Sequence, residues 1–185
     1  MSRLRKLYNE SIITELKNRF GYKNIELVPK IEKITVNVGS GEMQTNKQYA
    51  DDIVTDIKLI TGQTPIVTKA KKAISAFKLR EGNVVGATVT LRKDRMYDFL
   101  DKLVSITIPR LRDFRGLSLK SFDGHGNYSF GFKEQSVFSE IPYENIHRSH
   151  GIQITIQTSA KNNAEGKALL ECFGVPFVKE AVKEQ

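Results

Sequence analysis

The chain has 185 residues, with 29 Lys+Arg against 21 Asp+Glu, a formal net charge of +8 and 39% hydrophobic residues. That length suits one domain, the apolar share argues against wholesale disorder, and no apolar run nears the roughly 20 residues that span a bilayer. The residues at Met1–Leu4 carry no signal-peptide core, and the single cysteine, Cys172, excludes an intrachain disulfide framework. The basic excess favours an anionic partner, nucleic acid first and a membrane surface second.

The first element is a helix over residues 4–20, where Leu4, Leu7, Tyr8, Ile12, Ile13, Leu16 and Phe20 recur near the helical period before Gly21. Residues 31–38 alternate as a half-buried strand, with Ile34, Val36 and Val38 on one face and Thr35 and Asn37 on the other. A helix over 47–61 follows, capped by Asn46, striped by Ile53, Val54, Ile57 and Ile60, and ended by Gly62. Thr64–Val67 is a short strand candidate. Residues 84–92 alternate again, with Val85, Ala87, Val89 and Leu91 opposite Thr88, Thr90 and Arg92. Asp94 then caps a helix bearing Tyr97, Leu100, Leu103 and Val104, which Pro109 limits.

Residues 110–127 lack periodicity and form a long loop, in which Asp123-Gly124 is a turn. Tyr128–Lys133 is a strand candidate, and residues 152–157 alternate Ile152, Ile154 and Ile156 with Gln153, Thr155 and Gln157. The last helix follows Asn162-Asn163, turns Ala168, Leu169 and Cys172 inward, and stops at Gly174. Strands with one polar face, interspersed with helices in no regular alternation, specify an α+β fold. Its sheet is mainly antiparallel, helices cover one face, and long basic loops run at about 68–83 and 110–127. The chain reads as one domain over 1–185 with a tail at 180–185.

Two features bear on function. The polar strand faces carry Thr35, Asn37, Thr88, Thr90, Arg92, Gln153, Thr155 and Gln157, with few acids. Such residues are either water-facing β-formers or a contact surface that bonds sugar hydroxyls and base edges. The second feature is basic. Lys58, Lys69, Lys71, Lys72, Lys78 and Arg80 fall in an acid-free stretch, interleaved with Ala70, Ala73, Ile74, Ala76 and Phe77. It is either a solvated loop anchored by its apolar residues or one that reaches a phosphate backbone. Arg110, Arg112, Arg115 and Lys120 form a later basic group suited to phosphate contacts.

Catalytic patterns are weak. Gly39-Ser40-Gly41 lacks the Gly-Lys-Ser/Thr of a P-loop and reads as a strand-ending turn. His147 and His150 have no third ligand to complete a metal set, and Cys172 reads as a buried structural thiol. The expectation is a binding protein, not an enzyme, with no cofactor or metal.

Seven ordered blocks carry a family resemblance: residues 33–39 (KITVNVG), 61–65 (TGQTP), 68–73 (TKAKKA), 77–80 (FKLR), 87–92 (ATVTLR), 109–116 (PRLRDFRG) and 120–124 (KSFDG). With them the sequence resembles the ribosomal protein five family, the 5S-rRNA-binding proteins of the large ribosomal subunit, in its bacterial or organellar form. The resemblance implies a structural ribosomal protein of the central protuberance, in the cytoplasm or in a mitochondrion or plastid, that helps attach 5S rRNA. Its RNA-contacting positions match Asn37, Gln63 and Thr90, joined here by Thr35, Thr88, Arg92, Lys69 and Lys71. Its loop near peptidyl-site tRNA matches Lys72, Ser75, Phe77, Lys78 and Arg80. The loop with Arg110, Arg112, Arg115 and Lys120 would meet rRNA or the small-subunit head in an intersubunit bridge. The implied partners are 5S rRNA, 23S-type rRNA, that tRNA and neighbouring ribosomal proteins, with no membrane. The sequence departs from the family at His125 and His150, where Arg is frequent, at Ser139 for a common Pro, and at Lys93 for a frequent Gly.

Overall fold

A computed structural model describes residues 2–111 and 114–178. The chain has an α+β fold around one five-stranded antiparallel sheet. The strands are β1 (Ile31–Gly39), β2 (Ile66–Lys69), β3 (Val84–Leu91), β4 (Tyr128–Phe132) and β5 (Ile152–Thr158), in the order β2-β3-β1-β5-β4. The helices are α1 (Arg3–Leu7), α2 (Ile13–Phe20), α3 (Lys47–Thr61), α4 (Lys93–Lys102) and α5 (Asn163–Cys172). Two compact units are distinguished: residues 1–33, 92–130 and 156–185, and residues 34–91 and 131–155.

In the first unit, a π turn over Tyr8–Ile12 separates α1 from α2. Its cause is legible: Leu4, Tyr8, Ile12 and Leu16 are all buried at a strict spacing of four, longer than the 3.6 of an α-helix, while Leu7 is left exposed. The predicted helix stripe is corrected at Leu7 for that reason. Tyr8 stacks on Phe173, which also meets Tyr97, and the Tyr8 hydroxyl donates to the Pro29 carbonyl.

Three further expectations are corrected. Asp94 does not cap α4. Arg92 occupies the cap position, Lys93 has φ +54°, and the Asp94 carboxylate is taken by Arg5 at 2.8 Å. The short strand begins at Ile66 rather than Thr64, because buried Pro65 has no N–H for the ladder. Cys172 is half-buried; Ala168, Leu169 and Leu170 are the inward residues of α5.

The long loop after Pro109 is anchored. Leu117 N–H donates to the Pro176 carbonyl, Val178 N–H donates to that of Leu117, and Phe122, Tyr128 and Phe177 form an aromatic cluster. The Asp123 turn is built as expected, its carboxylate accepting from the N–H groups of His125 and Asn127 and from the Asn127 amide.

In the second unit, α3 starts where Asn46 accepts the Tyr49 N–H and ends at Gly62, φ +67°. Ile53, Ile57 and Ile60 of its stripe are buried, as are Ile34, Val36, Val38, Ala87, Val89 and Leu91 on the apolar sheet face. Burial of this kind stabilises by about 25 cal/mol per Å² of apolar surface.

Candidate nucleic-acid interface

The β1–β3 ladder sets the polar face. Thr35 stands opposite Thr90, and Asn37 opposite Thr88. In a strand these positions share one side, so four uncharged hydrogen-bonding groups form a compact square, all half-buried. The Thr88 hydroxyl donates to the Val36 carbonyl at 3.3 Å. On β5, Gln153 is exposed and Thr155 half-buried.

Gln63 is brought to this face by the end of α3. The left-handed turn at Gly62 redirects the chain, Thr61 Oγ1 donates to the Gln63 carbonyl, and Gln63 Nε2 donates to the Thr90 carbonyl at 3.3 Å. Asn37, Gln63 and Thr90 therefore belong to the same unit, with Gln63 bonded directly to Thr90. Ile66 lies opposite Thr88 on the same side and is 72% exposed, an apolar member of the face that strand alternation alone does not single out. Arg92 is exposed just beyond β3.

The basic stretch is a built excursion. Its neck is tied where Ala70 N–H donates to the Asn83 carbonyl and Gly82 N–H to that of Ala70. Its tip is a hairpin in which Ile74 and Leu79 exchange both backbone bonds, at 2.9 and 3.1 Å. Ser75–Phe77 makes the turn, and Lys78, φ +52°, closes it. Lys69, Lys71, Lys72, Ser75, Lys78 and Arg80 are exposed, and Phe77 at the tip is 71% exposed. An exposed aromatic ring beside cations suits base or sugar stacking next to phosphate neutralisation.

In the other unit Arg110, Arg115 and Lys120 are exposed, whereas Arg112 lies outside the described residues. Among the described residues no cluster of His, Cys, Asp and Glu could hold a metal ion, and no helix is long and apolar enough to cross a membrane.

Sequence reasoning missed a buried polar group in the second unit. His150 Nε2 lies 3.8 Å from Asp56 Oδ2, with Tyr49 edge-on to the imidazole. Gln135 clamps the segment: its Oε1 accepts the His150 N–H and its Nε2 donates to the Arg148 carbonyl, both at 2.7 Å. Burial holds His150 down at about 4 and raises Asp56 to about 6, Asp52 adding to the latter. Isolated polar residues distant in sequence give no periodic signal, which is why this pair is not legible before folding.

Comparison with known proteins bears on the chain as a whole. The family model for ribosomal protein L5 matches residues 24–80, and the model for the C-terminus of the same ribosomal family matches residues 84–177. The chain is 54% identical over 177 residues to the large ribosomal subunit protein uL5 of Geotalea uraniireducens, covering 96% of this chain and 99% of the relative. It is 52% identical over 177 residues to that of Dichelobacter nodosus, with the same coverage. It is 53% identical over 175 residues to uL5c of Gracilaria tenuistipitata, covering 95% of this chain and 98% of the relative. The chain belongs to the ribosomal protein L5 family, whose members are structural, non-enzymatic ribosomal proteins.

Proposed function

We propose that this chain is a structural constituent of the large ribosomal subunit that binds 5S rRNA through the neutral face built on Asn37, Gln63, Thr90, Thr35 and Thr88. The observation that carries the reading is the register: Thr35 opposite Thr90 and Asn37 opposite Thr88, an acid-free set of donors and acceptors. A flat surface of this kind suits the shallow RNA minor groove, where 2′-hydroxyls and base edges are exposed. Lys69 and Lys71 neutralise phosphates beside it, as does Arg92, the residue that follows β3.

The hairpin at residues 72–80 contacts peptidyl-site tRNA through Lys72, Ser75, Phe77, Lys78 and Arg80. Arg110, Arg112, Arg115 and Lys120 meet rRNA or the small-subunit head. The protein works within the ribosome, beside 23S-type rRNA and neighbouring ribosomal proteins, in the central protuberance. Sedimentation of protein taken from cells tests the reading: it should travel with large subunits that carry 5S rRNA, in an RNase-sensitive way. Sedimentation free of those particles would refute it.

A further inference from the structure

Where the side chains of the polar face end, glycines continue it. Gly39 follows Asn37 by two residues, and Gly151 precedes Gln153 by two, so each lies on the same side as its amide. With Gly131 they floor a depression of about 380 Å³ flanked by Asn37 and Gln153. It shares Gly39 and Gly151 with a second depression of about 500 Å³, lined by Ser40, Glu42, Tyr49 and Arg148. The two adjoin over Gly39 and Gly151 as a trough that leads off the face toward Arg148, all within the second unit.

The glycines differ in what requires them. A Cβ on Gly131 would stand 3.3 Å from the Ile152 carbonyl, and one on Gly151 would stand 3.2 Å from that of Phe132, so packing explains both. Gly39 has no such cause. Its φ is outside the left-handed region and its nearest obstacle is 3.9 Å away. A strand glycine often marks a bulge, a tight bend or a place where a ligand or another backbone approaches closely, and the β1–β3 register runs regularly through Gly39 opposite Gly86, with no bulge there. At the far end, Arg148 is paired with Glu42, both more than half exposed. That pair leaves the guanidinium neutralised yet accessible, so an anion can replace the carboxylate.

We propose that this trough carries an RNA sugar–phosphate strand beyond the neutral face, with Gly39 as the point of closest approach and Arg148 as a phosphate ligand that Glu42 occupies until RNA displaces it. The proposal rests on the assignment of 5S rRNA to that face. It makes Glu42 a competitor for its own site, a role opposite to that of an ordinary distant acid.

The test measures filter binding of 5S rRNA at two salt concentrations, with circular dichroism as the fold control. Gly39→Val should weaken binding about tenfold by filling the trough. Arg148→Ala should weaken it several-fold and reduce the salt slope by about one ion. Glu42→Gln should tighten binding, and the gain should vanish in the Arg148→Ala background. Unchanged affinity in Arg148→Ala, or a Glu42→Gln gain that survives without Arg148, overturns the proposal. Asn37→Ala separates the two claims. If it weakens binding while the trough variants do not, only the trough falls; if none of the variants matters, the neutral face falls too.

Discussion

Asn37 stands directly across the β1–β3 ladder from Thr88, whose hydroxyl is turned onto the Val36 carbonyl. The carboxamide and the hydroxyl thus share one small patch with no carboxylate between them. On the proposed reading, specificity belongs to these neutral groups, and the +8 charge of the chain supplies attraction from the loops around them.

Lys69 and Lys71 should act through charge alone. Replacing either with Ala should reduce the slope of log affinity against log salt by about one ion. Titration of 5S rRNA binding across salt concentrations measures this. An unchanged slope would remove these lysines from the phosphate contacts.

The hairpin should be separable from the sheet face, because its neck closes on itself at Ala70, Gly82 and Asn83. Replacing residues 72–80 with a short turn should leave 5S rRNA binding intact and lower retention of peptidyl-site tRNA by assembled ribosomes. Normal tRNA retention would count against the loop assignment.

Lys93 holds a left-handed backbone, φ +54°, a conformation that glycine adopts without steric cost. A side chain there costs about 1–2 kcal/mol that glycine avoids. Lys93→Gly should therefore stabilise the fold by about 1 kcal/mol, read as a higher urea midpoint at constant slope. A lower midpoint would contradict the strain.

Asp56 and His150 make opposite demands on pH. Burial raises Asp56 from 3.8 to about 6, so its contribution favours folding below about 3.8 and is lost as pH rises through 6. Burial lowers His150 from 6.5 to about 4, so its contribution is complete above about 6.5 and is lost as pH falls through 4. The two largely cancel between about pH 4 and 6. Asp56→Asn should leave a protein that loses stability on acidification across that window. His150→Gln should leave one that loses stability as pH rises across it. Urea midpoints at about pH 4, 5, 6 and 7 decide, and slopes of the same sign in both variants would contradict the assignment.

How much of this is legible in the sequence depends on the range of the forces involved. The strands of the polar face follow from alternation, and the ends of α3 follow from Asn46 and Gly62, because these are local effects. Asp94 misleads because its carboxylate is captured by Arg5, 89 residues away, and no local pattern records that. The π turn at Tyr8–Ile12 is visible only as an excess of four-residue spacings. Gly39 reads from the sequence as a turn residue; its exposed place in the trough depends on Gly131 and Gly151 arriving from distant segments. The partner expectations come from family resemblance, whereas the neutral face that supports them comes from the residues themselves.

The most direct test of the neutral face is the affinity of Asn37→Ala and Thr90→Ala for 5S rRNA at fixed salt. Loss of a buried hydrogen-bond partner costs about 1–3 kcal/mol, so each variant should bind several-fold to a hundredfold more weakly while its circular dichroism spectrum stays that of the parent chain. Wild-type affinity in both folded variants would contradict the claim that Asn37 and Thr90 carry the recognition.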